Sequence, residues 1–170
     1  MRDIIFLDID GVLNDASTKE TIKGVVGVSD GKLKILKKIV EDNGAEIILT
    51  SSWKDDWEYP CNRPSDKHTI YGQYLDDRFA EFNLAIAGKT EDDWVHRGNG
   101  ILQWLANYDW EHFVVLDDQI YIDFRKCGIF RHLVQTSWKT GLREKHIRKV
   151  AEVLQKEPTE EMLERINSMR

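Results

Sequence analysis

The sequence predicts an α/β fold in which a mainly parallel sheet lies between two layers of helices. Two observations favour this class. The first is that short runs alternate with longer segments that carry apolar residues at helical spacing. The second is that the short runs are almost wholly apolar, as expected of strands that are buried on both faces in parallel sheets that helices cover. The 170 residues suit one core, and we expect residues 1–170 to form a single domain.

Five short runs are predicted to be strands. Each is rich in apolar residues, is bounded by polar or turn-forming residues, and is shorter than a typical helix. The predicted strands cover residues 3–8 (DIIFLD), 45–50 (AEIILT), 84–87 (LAIA), 112–117 (HFVVLD) and 131–135 (RHLVQ).

Helices are predicted between and after these strands. The first has capping candidates in Ser29 and Asp30 and stops at an Asn-Gly pair, and Pro158 separates the last two. The predicted helices cover residues 30–43, 98–107, 142–155 and 159–169. Residues 53–83 mix aromatic and polar residues without a clear period, so residues 53–96 have room for a small lid or for loops.

The charge balance limits the classes of partner. A net charge of −6 argues against a protein that coats long nucleic acid by its phosphates, but it allows a site for one phosphorylated end. No apolar run approaches the roughly 20 residues that cross a bilayer, so we expect no membrane partner and a cytoplasmic location.

Side chains with oxygen atoms follow three of the predicted strands. Asp8 and Asp10 end the first strand, Thr50 and Ser51 follow the second, and Asp117-Asp118 ends the fourth. Ligands of parallel α/β sheets bind at the carboxyl ends of the strands, where the strand order reverses. We therefore expect these side chains to meet in one crevice.

This set of residue types indicates phosphoryl transfer. Clustered carboxylates need a cation to neutralise them, and oxygen ligands without histidine or cysteine suit Mg²⁺. One carboxylate can attack phosphorus, and a second can protonate the leaving oxygen and then activate water. Hydroxyl groups and the metal can stabilise charge on the phosphoryl oxygens.

The three strings that carry these residues resemble the motifs of the haloacid dehalogenase (HAD) superfamily. The string FLDIDGVLN (6–14) resembles motif I, IILTSS (47–52) resembles motif II, and VVLDD (114–118) resembles motif IV. Ser52-Trp53, Arg97-Gly98 and Gly141-Leu142 are similar to features of the small HAD domains associated with RNA-repair proteins. The resemblance implies a three-layer Rossmannoid sandwich with motif I on a central strand and a minimal or small cap.

The resemblance also implies a role for each matching residue. Asp8 is expected to be the nucleophile and a metal ligand, and Asp10 the general acid/base, with its backbone carbonyl also on Mg²⁺. Asp117, in preference to Asp118, is expected to be the acidic metal ligand. The phosphoryl group is expected to contact Thr50, Ser51 and a motif III cation, for which Arg97 is favoured over Lys89.

The function expected from this resemblance is Mg²⁺-dependent phosphomonoester hydrolysis through an aspartyl-phosphate. The expected substrate is a nucleotide or a nucleic-acid terminal phosphate, and RNA-repair proteins are expected partners. Two alternatives stay open: a phosphatase for a small metabolite such as a sugar phosphate, and a non-catalytic HAD-like binding module. Trp53 and Trp57 follow motif II and are candidates for the mouth of the site, whereas Trp110 and Trp138 are expected to pack at the ends of elements.

Overall fold

The computed structural model describes residues 1–58 and 69–170. The strands of that part of the chain are β1 (Ile4–Leu7), β2 (Thr21–Ile22), β3 (Val25–Val26), β4 (Glu46–Leu49), β5 (Ile86–Lys89), β6 (Phe113–Asp117) and β7 (Leu133–Gln135). Its α-helices are α1 (Asp30–Asn43), α2 (Ile70–Ala80), α3 (Arg97–Asn107), α4 (Lys145–Leu154) and α5 (Glu160–Ser168). Short 3₁₀ helices occupy Ser52–Asp55 and Ile129–His132.

The main sheet is parallel and has β1 at its centre. Its strand order is β5-β4-β1-β6-β7, with parallel pairing between every pair of neighbours. The chain moves from β1 to one side and later returns to the other, so the strand order reverses beside β1. Leu7 aligns with both Leu49 and Leu116, and the residues that follow these three therefore reach the same edge of the sheet.

Helices cover both faces of this sheet. Ile5 and Leu7 belong to the apolar cluster that includes buried residues of α1, α2 and α4. Ile4 and Phe6 point to the opposite side and belong to the cluster formed with α3 and α5. Successive residues of a strand point to opposite faces, so one fully apolar strand serves both clusters. The predicted three-layer α/β sandwich is confirmed.

Strand β5 begins two residues later than predicted. Leu84 donates its backbone N–H to Phe79, and Asn83 adopts a left-handed φ of 57°, so both residues belong to the turn that closes α2. The strand instead continues through Gly88 and Lys89, which pair with β4. Neither residue is apolar, and a search for apolar runs therefore ends the strand too early.

Two elements were not predicted. The hairpin β2–β3 has strands of two residues each, too short for a periodic signal, and its turn places Lys23 and Gly24 at positive φ. Helix α2 buries Leu75 and Phe79 in the core, so this part of the region considered for a lid packs against the sheet layer. Residues 59–68, also part of that region, lie outside the described residues.

No helix within residues 1–58 and 69–170 is long and apolar enough to cross a membrane.

Candidate active site

Three carboxylates converge at the carboxyl ends of β1 and β6. Asp8, Asp117 and Asp118 each offer an oxygen atom, and these atoms lie within 4.8 Å of one another. Asp8 and Asp117 are buried and Asp118 is half-buried. The Oδ1 atom of Asp118 is buried, and no residue within 1–58 and 69–170 forms a hydrogen bond with it. The structure thus brings together the acidic residues of motifs I and IV.

Arg97, at the start of α3, is the cation that joins this cluster. Its Nη1 atom lies 2.5 Å from Asp117 Oδ2 and 3.1 Å from Asp8 Oδ1. The guanidinium group also lies over the ring of Tyr121, 4.2 Å from its centroid, which restricts its orientation. Arg97 therefore contacts both Asp8, the candidate nucleophile, and Asp117, the candidate metal ligand.

Lys89, the competing candidate, lies elsewhere. Its ammonium group donates to the backbone carbonyls of Lys54 and Trp57 at 3.0 and 2.9 Å, and pairs with Glu58 at 3.0 Å. Lys89 therefore holds the segment that follows β4. Between the two cations considered from the sequence, the structure places Arg97 at the acidic cluster.

Asp10 is not one of the three clustered carboxylates and has hydrogen-bond partners of its own. One of its oxygens accepts from Asn14 Nδ2 at 2.8 Å and the other from Trp53 Nε1 at 3.1 Å. Asn14 is itself fixed, because it accepts from the Gly11 N–H and donates to the Gly27 carbonyl. Trp53 thus contacts a site residue, whereas Trp57 is 1% exposed and is a core residue.

The two hydroxyl groups after β4 have different surroundings. Thr50 is buried, and its Oγ1 atom has no hydrogen-bond partner among the residues that the structure describes. Ser51 Oγ accepts from the Trp53 backbone N–H at 3.3 Å and caps the 3₁₀ helix. Of the two, Thr50 is the stronger candidate for contacting a phosphoryl oxygen.

Part of this cluster lines an open cleft of about 520 Å³, here called the acidic cleft. Its lining residues are Asp8, Asp10, Ser52, Lys54, Trp94, Arg97, Asp118, Gln119, Tyr121 and Trp138. Lys54 was not predicted to be a site residue. Its buried ammonium group pairs with Asp92 at 2.6 Å. Asp92 also accepts from Thr90 Oγ1 at 3.1 Å. The Lys54–Asp92 pair ties the loop after β5 to the segment after β4.

Burial governs the ionisation of the cluster. It raises the pKa of Asp8 to about 7, helped by the charge of Asp117 and opposed by Arg97. It raises the pKa of Asp117 to about 6, again against the influence of Arg97. Burial also raises the pKa of Asp118. These carboxylates do not ionise together readily without further positive charge.

Gly11 allows the chain to leave β1 beside Asp118. Its φ is +76°, and a Cβ atom there would overlap the carboxylate of Asp118. We expect Gly11→Ala to destabilise the protein by about 2 kcal/mol or more, through backbone strain and displacement of Asp118. Gly24→Ala is the matched control, because Gly24 has a φ of +81° and no heavy atom within 4 Å of the added Cβ. Urea denaturation of both variants measures the difference; equal losses of stability would contradict the proposed clash.

Comparison with known proteins gives one match. The family model described as "HAD domain in Swiss Army Knife RNA repair proteins" matches residues 4–147. The matched range runs from β1 into α4 and contains the acidic cluster. No curated protein and no solved structure matches the chain.

Proposed function

The chain belongs to the family of HAD domains in Swiss Army Knife RNA repair proteins, and on that premise we propose that it hydrolyses phosphomonoesters through a phosphoryl group carried on Asp8. One observation carries the proposal: the oxygens of Asp8, Asp117 and Asp118 lie within 4.8 Å of one another. Asp10 stands beside them, oriented by Asn14 and Trp53. This arrangement offers a nucleophile, a cation site and a separate acid/base.

The cluster suits a divalent metal ion. The guanidinium group of Arg97 carries one positive charge against three carboxylates, so a cation can neutralise the negative charge that remains. Asp118 Oδ1 has no hydrogen-bond partner in the described part of the chain, and Mg²⁺ prefers hard oxygen ligands. Asp8, Asp117 or Asp118, and the Asp10 carbonyl would hold the ion. When bound, Mg²⁺ would neutralise negative charge on the phosphoryl oxygens.

The protein's own residues supply the remaining chemistry. Asp8 attacks phosphorus, so that an Oδ–P bond forms while the bond from phosphorus to the leaving oxygen breaks; Asp10 gives that oxygen its proton. In the second step Asp10 accepts a proton from water, the water oxygen bonds to phosphorus, and the Oδ–P bond breaks. We expect the Thr50 hydroxyl and Arg97 to hold phosphoryl oxygens.

We propose a nucleotide or the terminal phosphate of a nucleic acid as the substrate. The RNA-repair context of the family supports this class. The net charge of −6 favours recognition of an end over contacts along many phosphates. RNA-repair proteins are the proposed partners.

A substrate panel tests the function. We expect the wild-type protein with Mg²⁺ to release phosphate from 3′- or 5′-phosphorylated oligonucleotides or from nucleotides, and EDTA to abolish the release. A strong preference for sugar phosphates would favour the metabolite phosphatase instead. Equal, negligible turnover by wild type, Asp8→Asn and Asp10→Asn would favour the non-catalytic binding module.

The raised pKa values predict how metal and pH affect stability. Because folding raises the pKa of Asp8 from 3.8 to about 7, its protonated form contributes stability below pH 4 that is lost as the pH rises through about 7. Without Mg²⁺ we expect the unfolding free energy of wild type, relative to Asp8→Asn, to fall by at least about 1 kcal/mol between pH 5 and pH 8.

Mg²⁺ binds the ionised carboxylates, so its stabilising effect is expected to increase with pH over the same range. Thermal melts with Mg²⁺ and with EDTA at several pH values measure both trends. Metal stabilisation that weakens towards pH 8 would argue against a carboxylate-held ion.

A further inference from the structure

Two exposed tryptophans line the acidic cleft, and the proposed reaction uses neither. Trp94 is 57% exposed and Trp138 is 45% exposed, whereas Trp53 and Trp57 are 7% and 1% exposed. Trp138, which was expected to pack at the end of an element, thus leaves nearly half of its surface in solvent. A large aromatic group left in solvent beside a reaction site indicates contact with a ligand.

The topology brings the two tryptophans to one site from opposite edges of the sheet. Trp94 lies in the loop after β5 and Trp138 in the segment after β7, and these are the two edge strands. Asp8 follows the central strand β1. Both indole side chains nevertheless line the same cleft as Asp8. Both tryptophans thus belong to the cleft in which the phosphoryl group is proposed to react.

The backbone of each tryptophan is anchored while its ring stays exposed. Trp94 adopts a left-handed φ of 70°, which is costly for a bulky residue, and its N–H donates to Asp92 at 3.0 Å. Asp92 is in turn held by Lys54 at 2.6 Å. The carbonyl of Trp138 accepts from the Ala16 N–H at 2.9 Å. These anchors hold both rings at the cleft without burying them.

The charge of the cleft excludes strong binding through many phosphates. Among the described residues that line it, the cations are Lys54 and Arg97, and both are already in ion pairs with aspartates. Carboxylates of Asp8, Asp10 and Asp118 line the same space. Affinity for a nucleic-acid end must therefore come mainly from groups other than its backbone.

We propose that Trp94 and Trp138 stack on the base of the phosphorylated terminal nucleotide or its neighbour, so that the substrate is an unpaired nucleic-acid end. This inference rests on the proposed function and names the substrate class of the same site. Stacking of a base on an aromatic side chain is independent of sequence and requires a base that is not paired in a duplex. It also depends little on salt, in contrast to phosphate contacts.

The test compares two short single-stranded oligonucleotides that carry the same terminal phosphate. One has a complete terminal nucleotide, and the other lacks its base. With Mg²⁺ we expect the wild-type kcat/KM to be about tenfold higher for the base-bearing end. The ratio is expected to fall towards one in Trp138→Ala and in Trp94→Asn, in which asparagine tolerates the left-handed backbone.

Two further variants separate stacking from general damage. Trp138→Phe keeps an aromatic face and is expected to retain most of the base preference. Tyr108→Ala removes an equally exposed ring, 58% exposed, that lies outside the acidic cleft, and is expected to leave the ratio unchanged. A wild-type ratio near one, or an unchanged ratio in both tryptophan truncations, would overturn the proposal.

Failure of the stacking proposal can be distinguished from failure of the proposed hydrolysis. If the wild type hydrolyses no phosphomonoester, the proposed hydrolysis fails. Fluorescence anisotropy of the same two labelled oligonucleotides with wild type and with Asp8→Asn then decides the stacking proposal. About tenfold tighter binding of the base-bearing end, lost in Trp138→Ala, would support it. Equal binding of the two oligonucleotides would refute it.

Discussion

Replacing Asp8 with asparagine is expected to lower kcat by about four orders of magnitude or more on every substrate that the wild type hydrolyses. An amide oxygen is a poor nucleophile towards phosphorus, so the covalent step is lost. The substituted side chain keeps nearly the same size, and the neighbouring contact with Arg97 retains an oxygen acceptor. Steady-state release of inorganic phosphate measures the loss.

The same variant is expected to fold, which separates chemistry from structural damage. Asp8 is 6% exposed beside Asp117, and burial raises its pKa, so removing its charge relieves repulsion in the metal-free protein. We expect an unfolding temperature at pH 8 without metal that equals or exceeds that of wild type. Asp42→Asn, which changes an exposed carboxylate on α1, is the matched control and keeps full activity. Residual turnover above about a tenth of wild type would exclude Asp8 as the nucleophile.

The second large effect is expected for Asp10→Asn, and its size depends on the leaving group. An alkyl oxygen needs a proton as it leaves, and loss of a general acid costs about a hundredfold to ten-thousandfold. The p-nitrophenolate ion needs little assistance, so the first step survives while the second step loses its general base. We expect a burst of p-nitrophenol close to one equivalent per protein molecule, followed by slow turnover.

Rapid-mixing absorbance measurements with p-nitrophenyl phosphate detect this burst. Wild type is expected to show steady release, because its second step keeps the base that Asn14 and Trp53 orient. An equal reduction for alkyl and nitrophenyl substrates, without a burst, would show that Asp10 acts on neither the leaving oxygen nor the water.

The sheet was predictable because its strands are buried on both faces. β1 is wholly apolar, and β4 and β6 each contain a continuous apolar run with one acidic residue at an end, so the predicted runs and the observed strands agree closely. The edge strand β5 was predicted two residues too early, because its second half contains Gly88 and Lys89, which are not apolar. The hairpin β2–β3 depends on a turn with two positive φ values and on four paired residues, which leave little pattern in the sequence.

The site was predictable where its residues follow strands directly. Asp8, Thr50 and Asp117 come together because the parallel register aligns the strand ends. The sequence favoured Arg97 over Lys89 because Arg97 directly precedes the predicted helix, and the structure adds the contacts of Arg97 with Asp8 and Asp117. The buried Lys54–Asp92 pair and the exposure of Trp138 depend on contacts between distant loops, which no local pattern records. The family suggested by the three motif strings is confirmed by the match over residues 4–147.

Peptide mapping of the acid-quenched Asp10→Asn variant, after reaction with p-nitrophenyl phosphate and Mg²⁺, would identify the residue that carries the phosphoryl group. We expect one phosphoryl group, on Asp8, that is absent when EDTA replaces Mg²⁺ and absent in the Asp8→Asn, Asp10→Asn double variant. A phosphoryl group on another residue, or burst release of p-nitrophenol with no phosphorylated peptide, would contradict it.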